Sequence, residues 1–320
     1  MFLVTGASGF IGKNLISELV KITKVRIFAR RTSNIDLFKD NKNIEVRYGE
    51  LETDVGIADA LNGIDVVIHC AARTIGRGFI EYYRTNAKGT ANLIEAMERK
   101  NICKIIYLSS QAACGPSRGK IMANEAMKPV PISFYGLSKK IAEDILIRSN
   151  LKFIILRAPT VYGPYDMEIL KYIKLINSGI CPIVGFREKY ISLIYAADLV
   201  ELIIKIIKED LFNNKIYFTS DGNFYSFNDV LNEITKILGR HIFKIYIPKS
   251  AGMLVGMLND LFLPEKKRFI WRDKIKELAS ECWLCSNEQL TKDIGFIPKY
   301  SLKDGMSQTI NWYKAFGFIK

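Results

Sequence analysis

The chain has 320 residues, 49% of them hydrophobic and 25% charged, which suits about two domains around a sizeable core and excludes a disordered segment. Its net charge of +13 favours anionic ligands, but the basic residues are scattered and the densest run is only Lys266-Lys267-Arg268, so a site for a phosphate-bearing small molecule is expected and nucleic-acid binding is not. The apolar stretch 251–263 is broken by Asn259 and Asp260 and is too short to span a bilayer.

The chain opens on a strand-like run, Met1-Phe2-Leu3-Val4-Thr5, with no room for a signal peptide before it. Strands are expected at 2–5, 25–29, 44–48, 66–70, 104–109 and 153–158. Helical patterns at 11–20, 55–61, 79–100 and 134–149 fall between them. Alternating strands and helices with continuously apolar strands predict an α/β fold, a doubly wound parallel sheet covered on both faces. Beyond Gly163-Pro164 the pattern becomes mainly helical, at 168–177, 197–208, 227–238, 287–294 and 302–316. Ser286 with Gln289 has the spacing of a capping box, and Gly295 stands where a helix-ending glycine belongs. The expected organisation is a dinucleotide-binding domain over 1–163, with later strands from about 191–220 returning to it, and a mainly substrate-binding domain over 164–320.

The six cysteines, at 70, 103, 114, 181, 282 and 285, lack the spacing of a small disulfide scaffold, which fits a cytoplasmic protein. Cys282 and Cys285 form a C-x-x-C pair. A structural zinc needs four ligands, and the two histidines, His69 and His241, lie far away in sequence. The pair is read as two reduced thiols beside Trp283.

Three motifs carry chemistry. Thr5-Gly6-Ala7-Ser8-Gly9-Phe10-Ile11-Gly12 sets glycines at G-x-x-G-x-x-G spacing between the first strand and first helix. Glycine there allows a tight turn and close approach of backbone to a pyrophosphate on the helix N-terminus. The second strand runs into Arg30 and Arg31, where an acidic residue would hold a ribose diol. Arginine at that place suits a 2′-phosphate instead, which favours NADP over NAD. Tyr135 and Lys139, at i and i+4, share one helix face, and a neighbouring ammonium favours a phenolate. Ser109-Ser110, at the end of the strand upstream, adds a hydroxyl that could meet a carbonyl oxygen.

These motifs occur in order with His69-Cys70-Ala71-Ala72, with Asn86 and Gly89-Thr90, and with Arg157-Ala158-Pro159-Thr160-Val161-Tyr162-Gly163-Pro164. Together they resemble an extended short-chain dehydrogenase/reductase of the NAD-dependent epimerase/dehydratase family, over nearly the whole chain. The resemblance implies a Rossmann domain and a smaller, mainly helical C-terminal substrate domain. It implies Tyr135 as general acid/base, Lys139 on the nicotinamide ribose and lowering the tyrosine pKa, and Ser110 polarising the substrate oxygen. The cofactor would be held by Gly6, Ser8, Gly9, Phe10, Ile11, Gly12, Arg30, Arg31, Glu50, Leu51, Ala71, Ala72, Tyr135, Lys139 and Pro159. Glu50 replaces the aspartate that usually meets the adenine, and Cys114 stands for the usual tyrosine. His69 is read as structural.

Gln111-Ala112 follow Ser110 in place of the Asp–Glu pair that elimination needs, which disfavours dehydration. Ala158-Pro159 replaces the asparagine of many nucleotide-sugar epimerases and resembles dihydroflavonol-reductase-like and 3β-hydroxysteroid-dehydrogenase-like members. The leading expectation is an NADP-dependent oxidoreductase for a secondary alcohol or ketone. The alternatives are a nucleotide-sugar epimerase with retained NAD(P) and a non-catalytic NADP-binding sensor. The pocket is expected from 73–84, 162–190 and the C-terminal domain. A homodimer through 79–100 and 134–149 is expected from Ile94, Met97, Ile141 and Ile145.

Overall fold

The structure is a computed structural model that describes residues 1–268 and 270–320. The first half contains β1 (Phe2–Thr5), α1 (Phe10–Leu19), β2 (Val25–Ala29), β3 (Ile44–Tyr48), α2 (Ile57–Ala60), β4 (Val66–His69), α3 (Phe79–Tyr82), α4 (Gly89–Arg99), β5 (Lys104–Ser110), α5 (Phe134–Ile147) and β6 (Lys152–Ala158). Then come β7 (Thr160–Tyr162), α6 (Met167–Asn177), β8 (Ile180–Val184), β9 (Tyr190–Ile191), β10 (Leu193–Tyr195), α7 (Ala196–Lys208) and β11 (Lys215–Phe218). The remainder holds β12 (Tyr225–Ser226), α8 (Phe227–Leu238), β13 (Phe243–Ile247), α9 (Lys249–Phe262), α10 (Arg272–Leu278), β14 (Cys282–Trp283), α11 (Glu288–Ile294) and α12 (Leu302–Ala315).

Seven strands form one sheet in the order β11-β6-β5-β4-β1-β2-β3, every neighbouring pair parallel. Apolar side chains leave both faces, as a sheet covered by crossover helices requires. One face packs Val4, Ile27, Ile68, Ile106 and Ile154 against α1 and α7. The other packs Leu3, Val67, Ile105 and Ile155 against α2, α4 and α5. The strand order reverses between β1 and β4, and ligands of such sheets bind at the carboxyl ends of strands beside that point. A third core joins α6, α8 and α12 through Leu170, Ile173, Leu231, Ile234 and Ile310. Among the described residues no helix is long and apolar enough to cross a membrane.

Four local expectations are corrected. The stretch 79–100 is two helices joined by a π-helical segment, Tyr83–Lys88, and such segments cluster at functional sites. The helix at 55–61 shrinks to α2 because Gly56, at φ +80°, breaks the turn before it. Ser286 and Gln289 form no capping box: Asn287 precedes α11 without a side-chain cap, and Gln289 reaches forward to Asp293. The box lies on α8 instead, between Ser226 and Asp229. Gly295 does end α11, at φ +64°. Ile94 and Met97 are buried within the chain, so they no longer argue for a subunit contact.

Two polar devices lock the sheet to its helices. Glu143 of α5 takes a bidentate contact from Arg157 of β6, at 2.7 and 3.0 Å, and a 2.6 Å bond from the Ser109 hydroxyl of β5. All three side chains are buried. The second device is a directed chain. The Ala71 N–H donates to Thr5 Oγ1, which sits 2.6 Å from His69 Nδ1, and His69 Nε2 lies 2.9 Å from Thr90 Oγ1, which donates to the Asn86 carbonyl. Because Thr90 gives its proton to Asn86, it accepts from Nε2–H, and the imidazole is the neutral Nε2–H tautomer. Complete burial, with the charge of Lys139, drives the His69 pKa down to about 3. His69 is structural, as expected.

Removing one partner of a buried, bidentate pair leaves a bare charge, so Arg157→Met should destabilise the fold by about 3–5 kcal/mol. Urea unfolding measures this, and a loss under about 1 kcal/mol would mean that water reaches Glu143. His69 ionises at about 3 when folded and near 6.5 when unfolded. The unfolded chain therefore binds the extra proton, and stability falls as pH drops from about 6.5 toward 3. In His69→Gln this part of the slope should vanish, and unchanged curvature of Tm against pH would refute the assignment.

Candidate active site

The turn after β1 is built by glycine. Gly6 has φ +74°, and a Cβ there would meet the Ala71 nitrogen at 2.6 Å, while one on Gly12 would meet the Gly6 carbonyl at 2.2 Å. No side chain caps the N-terminus of α1 and no acid lies in its first turn. Its first amides and positive end are thus left to an anion, the fit a pyrophosphate requires. Ser8, Phe10 and Ile11 are half-buried and Gly9 is exposed.

Arg30 follows the end of β2 and is exposed, and the Arg31 guanidinium lies 5.4 Å from the centre of the Tyr48 ring. Thr32 and Ser33 follow, so no carboxylate stands in this turn. Glu50 is exposed just beyond β3, whereas Leu51 is buried and its carbonyl accepts a 2.6 Å bond from Asn92. Ala71 and Ala72 follow β4 beside Gly6. Pro159 is buried at the end of β6. The glycine turn and residues 71–72 meet at the carboxyl edge of the sheet, and Arg30, Glu50 and Pro159 stand just past the ends of their strands.

Ser110 ends β5, and its hydroxyl, which accepts from the Ala112 amide, also bonds the Tyr135 phenol. Tyr135 and Lys139 lie in the first turns of α5, with Ser133 capping the Gly136 amide. The two ionise differently from expectation. Burial pushes the phenol up to about 12, with Glu277 adding to the rise and Ser110 and Lys274 opposing it. The Lys139 ammonium instead donates to the Leu108 carbonyl at 2.6 Å and sits 4.1 Å above the Tyr107 ring. Burial brings Lys139 down to about 7, partly countered by Glu143 and Cys70. One donor of the lysine is thus taken by the sheet, and burial keeps the tyrosine protonated at neutral pH.

Asn86, in the π-helical segment, accepts from the Arg73 amide at 2.7 Å and donates to the Ser138 hydroxyl at 2.9 Å. Ser138 donates in turn to the Tyr135 carbonyl. The sequence placed Asn86 in a motif but gave it no role.

A cavity of about 200 Å³ opens beside Tyr135, lined by Thr74, Glu168, Trp271, Asp273, Lys274 and Glu277. Apart from Tyr135, its lining comes from the stretches expected to form the pocket, but α10 itself was missed. The Asp273 carboxylate accepts from the Phe134 and Tyr135 amides at 2.8 and 3.1 Å, and Glu277 accepts from Ser133 at 2.7 Å. Trp271 donates to the Tyr82 hydroxyl at 3.1 Å. Trp271, Ile275 and Leu278 at i, i+4 and i+7 were the available signal. Cys282 and Cys285 are both buried and in no disulfide, and burial pushes the Cys285 thiol well up. No group of three His, Cys, Asp or Glu side chains able to hold a metal ion occurs among the described residues.

Comparison with known proteins places this architecture. The chain is 24% identical to a ceramide reductase of Caulobacter vibrioides, covering 99% of this chain and 95% of the relative. It is 27% identical to a UDP-glucose 4-epimerase of Vibrio cholerae, covering 96% and 93%. The solved structure of a UDP-glucuronic acid 4-epimerase from Bacillus cereus in complex with NAD shares the fold, with a TM-score of 0.80, 22% identity and coverage of 98% and 99%. Residues 3–248 match the 3-beta hydroxysteroid dehydrogenase/isomerase family. The chain belongs to that family, among the extended short-chain dehydrogenase/reductase enzymes that act with a nicotinamide dinucleotide.

Proposed function

We propose that the protein is an NADP-dependent oxidoreductase that interconverts a secondary alcohol and a ketone. The observation that carries this is the register of β5 on β6, which sets Ala158 opposite Ser110, with buried Pro159 next. The sheet edge beside the serine thus presents a methyl and a ring, where an amide would suit the diphosphate of a nucleotide-sugar. Arg30 and Arg31 would grip a 2′-phosphate, the glycine turn and α1 the pyrophosphate, and Lys139 the nicotinamide ribose. When bound, the nucleotide supplies or accepts a hydride at the carbinol carbon.

The chain's own groups handle the proton. Ser110 and Tyr135 would converge on the substrate oxygen. A phenol held up at about 12 is in the form that donates a proton to a developing alkoxide, which favours reduction of a ketone. Asp273 and Ser133 fix the helix end from which Tyr135 projects. Assembly as a homodimer through α3–α5 rests on the exposed Ile80, Tyr83, Leu137 and Ile147.

A second reading, a nucleotide-sugar epimerase, is favoured by the epimerases among the relatives. The two differ in how they treat the nucleotide. An epimerase regenerates it within each turnover, whereas a reductase must exchange it every cycle.

Tyr135→Phe should lower turnover by about 10²–10⁴ while NADPH still binds; intact activity on a turned-over substrate would remove the tyrosine from the mechanism. NADPH should bind tighter than NADH by about tenfold or more, and Arg30→Asp should erase the preference. The parent protein should exchange NADPH freely and consume it in step with a ketone. Nucleotide that survives dialysis at near one per chain, with a nucleotide-sugar converted and no NADPH consumed, would select the epimerase.

A further inference from the structure

The outer face of α9 is apolar along its whole length. Leu254, Val255, Met257, Leu258, Leu261 and Phe262 are all exposed, Leu254 at 58%, Leu261 at 69% and Phe262 at 72%. At 100° per residue they occupy one arc of roughly 160°, with Ser250 and Ala251 as the other members and no charge among them. The opposite side faces the protein. Gly252 packs against Ile275, and a Cβ on Gly256 would meet the Arg272 nitrogen at 2.8 Å. The inward polar groups are engaged there: Asn259 bonds the Ile270 carbonyl, and Asp260 accepts from the Arg272 amide and pairs with Arg268. Strand β13, which runs into the helix through Pro248, adds exposed Phe243, Ile245 and Tyr246, with Phe186 stacked on Tyr246.

We infer that α9 is a membrane-docking helix that lies flat in the interface of a bilayer containing anionic lipid. Its 14 residues span about 21 Å, parallel to the protein surface rather than across a bilayer. An apolar arc with no charge, held on a basic protein, is the face that a helix lying in the headgroup layer buries, with the protein itself covering the other side. Exposed Lys249 and Lys267 flank its two ends, while nearby Glu265 is paired with Arg73. Ammonium groups at both ends complement acidic headgroups. A second copy of the chain is the poorer occupant, because pairing α9 with itself in either direction brings lysine against lysine. The docked helix would hold α10, and with it the cavity wall at Tyr135, next to the bilayer. The inference does not depend on which reaction the site performs.

The test is flotation of the full chain with vesicles of phosphatidylcholine alone and of phosphatidylcholine mixed with phosphatidylglycerol. The parent should float with the mixed vesicles and far less with the neutral ones. Leu258→Glu with Leu261→Glu should weaken partitioning by about tenfold or more, with Tm and NADPH binding unchanged because both side chains are exposed. Lys249→Glu with Lys267→Glu should remove the preference for the acidic lipid while leaving the apolar face intact. The inference is overturned if the parent floats with neither vesicle, or if the double glutamate variant at Leu258 and Leu261 floats as well as the parent. A dimer that the same variant dissolves, seen without vesicle binding, would assign the face to a second copy instead.

Discussion

The ion pair between Glu143 and Arg157 is the constraint on which the site's geometry rests. Glu143 sits one turn past Lys139 on α5, and Arg157 lies on β6 one residue before Ala158. Ser109, the third member, immediately precedes Ser110. One buried carboxylate therefore fixes the helix that carries Tyr135 and Lys139 against the two strand ends that carry Ser110 and Ala158. Dispersion between α5 and the sheet could hold the helix at many small rotations, since apolar packing is not directional. A bidentate guanidinium contact with a hydroxyl on the same oxygen permits one. The cost of burying such charges is returned as orientation rather than as stability.

Burial also sets the protonation states. Tyr135 and Lys139 are both pushed toward their neutral forms, the phenol upward and the ammonium downward. Desolvation, not the neighbouring charge that sequence spacing suggested, is the leading cause for each. The i, i+4 spacing placed the pair on one helix face correctly. It could not show that the Leu108 carbonyl and the Tyr107 ring would claim the ammonium, because those groups come from a strand some thirty residues earlier.

That contrast marks how far the sequence could be read. Strands β1, β2 and β3 fall at their expected limits: β1 and β2 are buried, nearly continuous apolar runs broken only by Thr5 and Arg26, whereas β3, at the sheet edge, alternates Ile44, Val46 and Tyr48 with Glu45 and Arg47. The glycine turn was legible because only glycine can supply a φ of +74° with a neighbouring backbone at 2.6 Å. The second half was harder. Its elements are short, and β9, β12 and β14 span two residues each, below what periodicity can register. Helix α9 was noticed only as an apolar stretch too short to span a bilayer, since its inward glycines and outward leucines invert the usual pattern of an amphipathic helix. The place of Asp273 and Glu277 in the site could not be read locally, for the groups of α5 and its cap that they bond lie about 140 residues away, and their local pairs with Lys276 and Lys274 say nothing of it.

The distant partners of α10 decide what kind of element it is. Its Asp273 carboxylate satisfies two amides at the start of α5, where the helix dipole already favours negative charge. Glu277 accepts a hydrogen bond from Ser133, which caps the same helix, and Trp271 donates to buried Tyr82. Gly256 brings the α9 backbone against that of Arg272, closer than any side chain would allow. To swing α10 outward, the protein would have to leave the Phe134 and Tyr135 amides without their acceptor, and charge-assisted bonds of this kind contribute about 1.5–3 kcal/mol each. A lid would be attached more loosely than this. Helix α10 is a fixed wall of the cavity, so access to Tyr135 must come past the half-buried Glu168 and the exposed Thr74, neither of which bonds to α5. The Asp273 and Glu277 carboxylates and Lys274 are then a constant part of the cavity wall beside Tyr135.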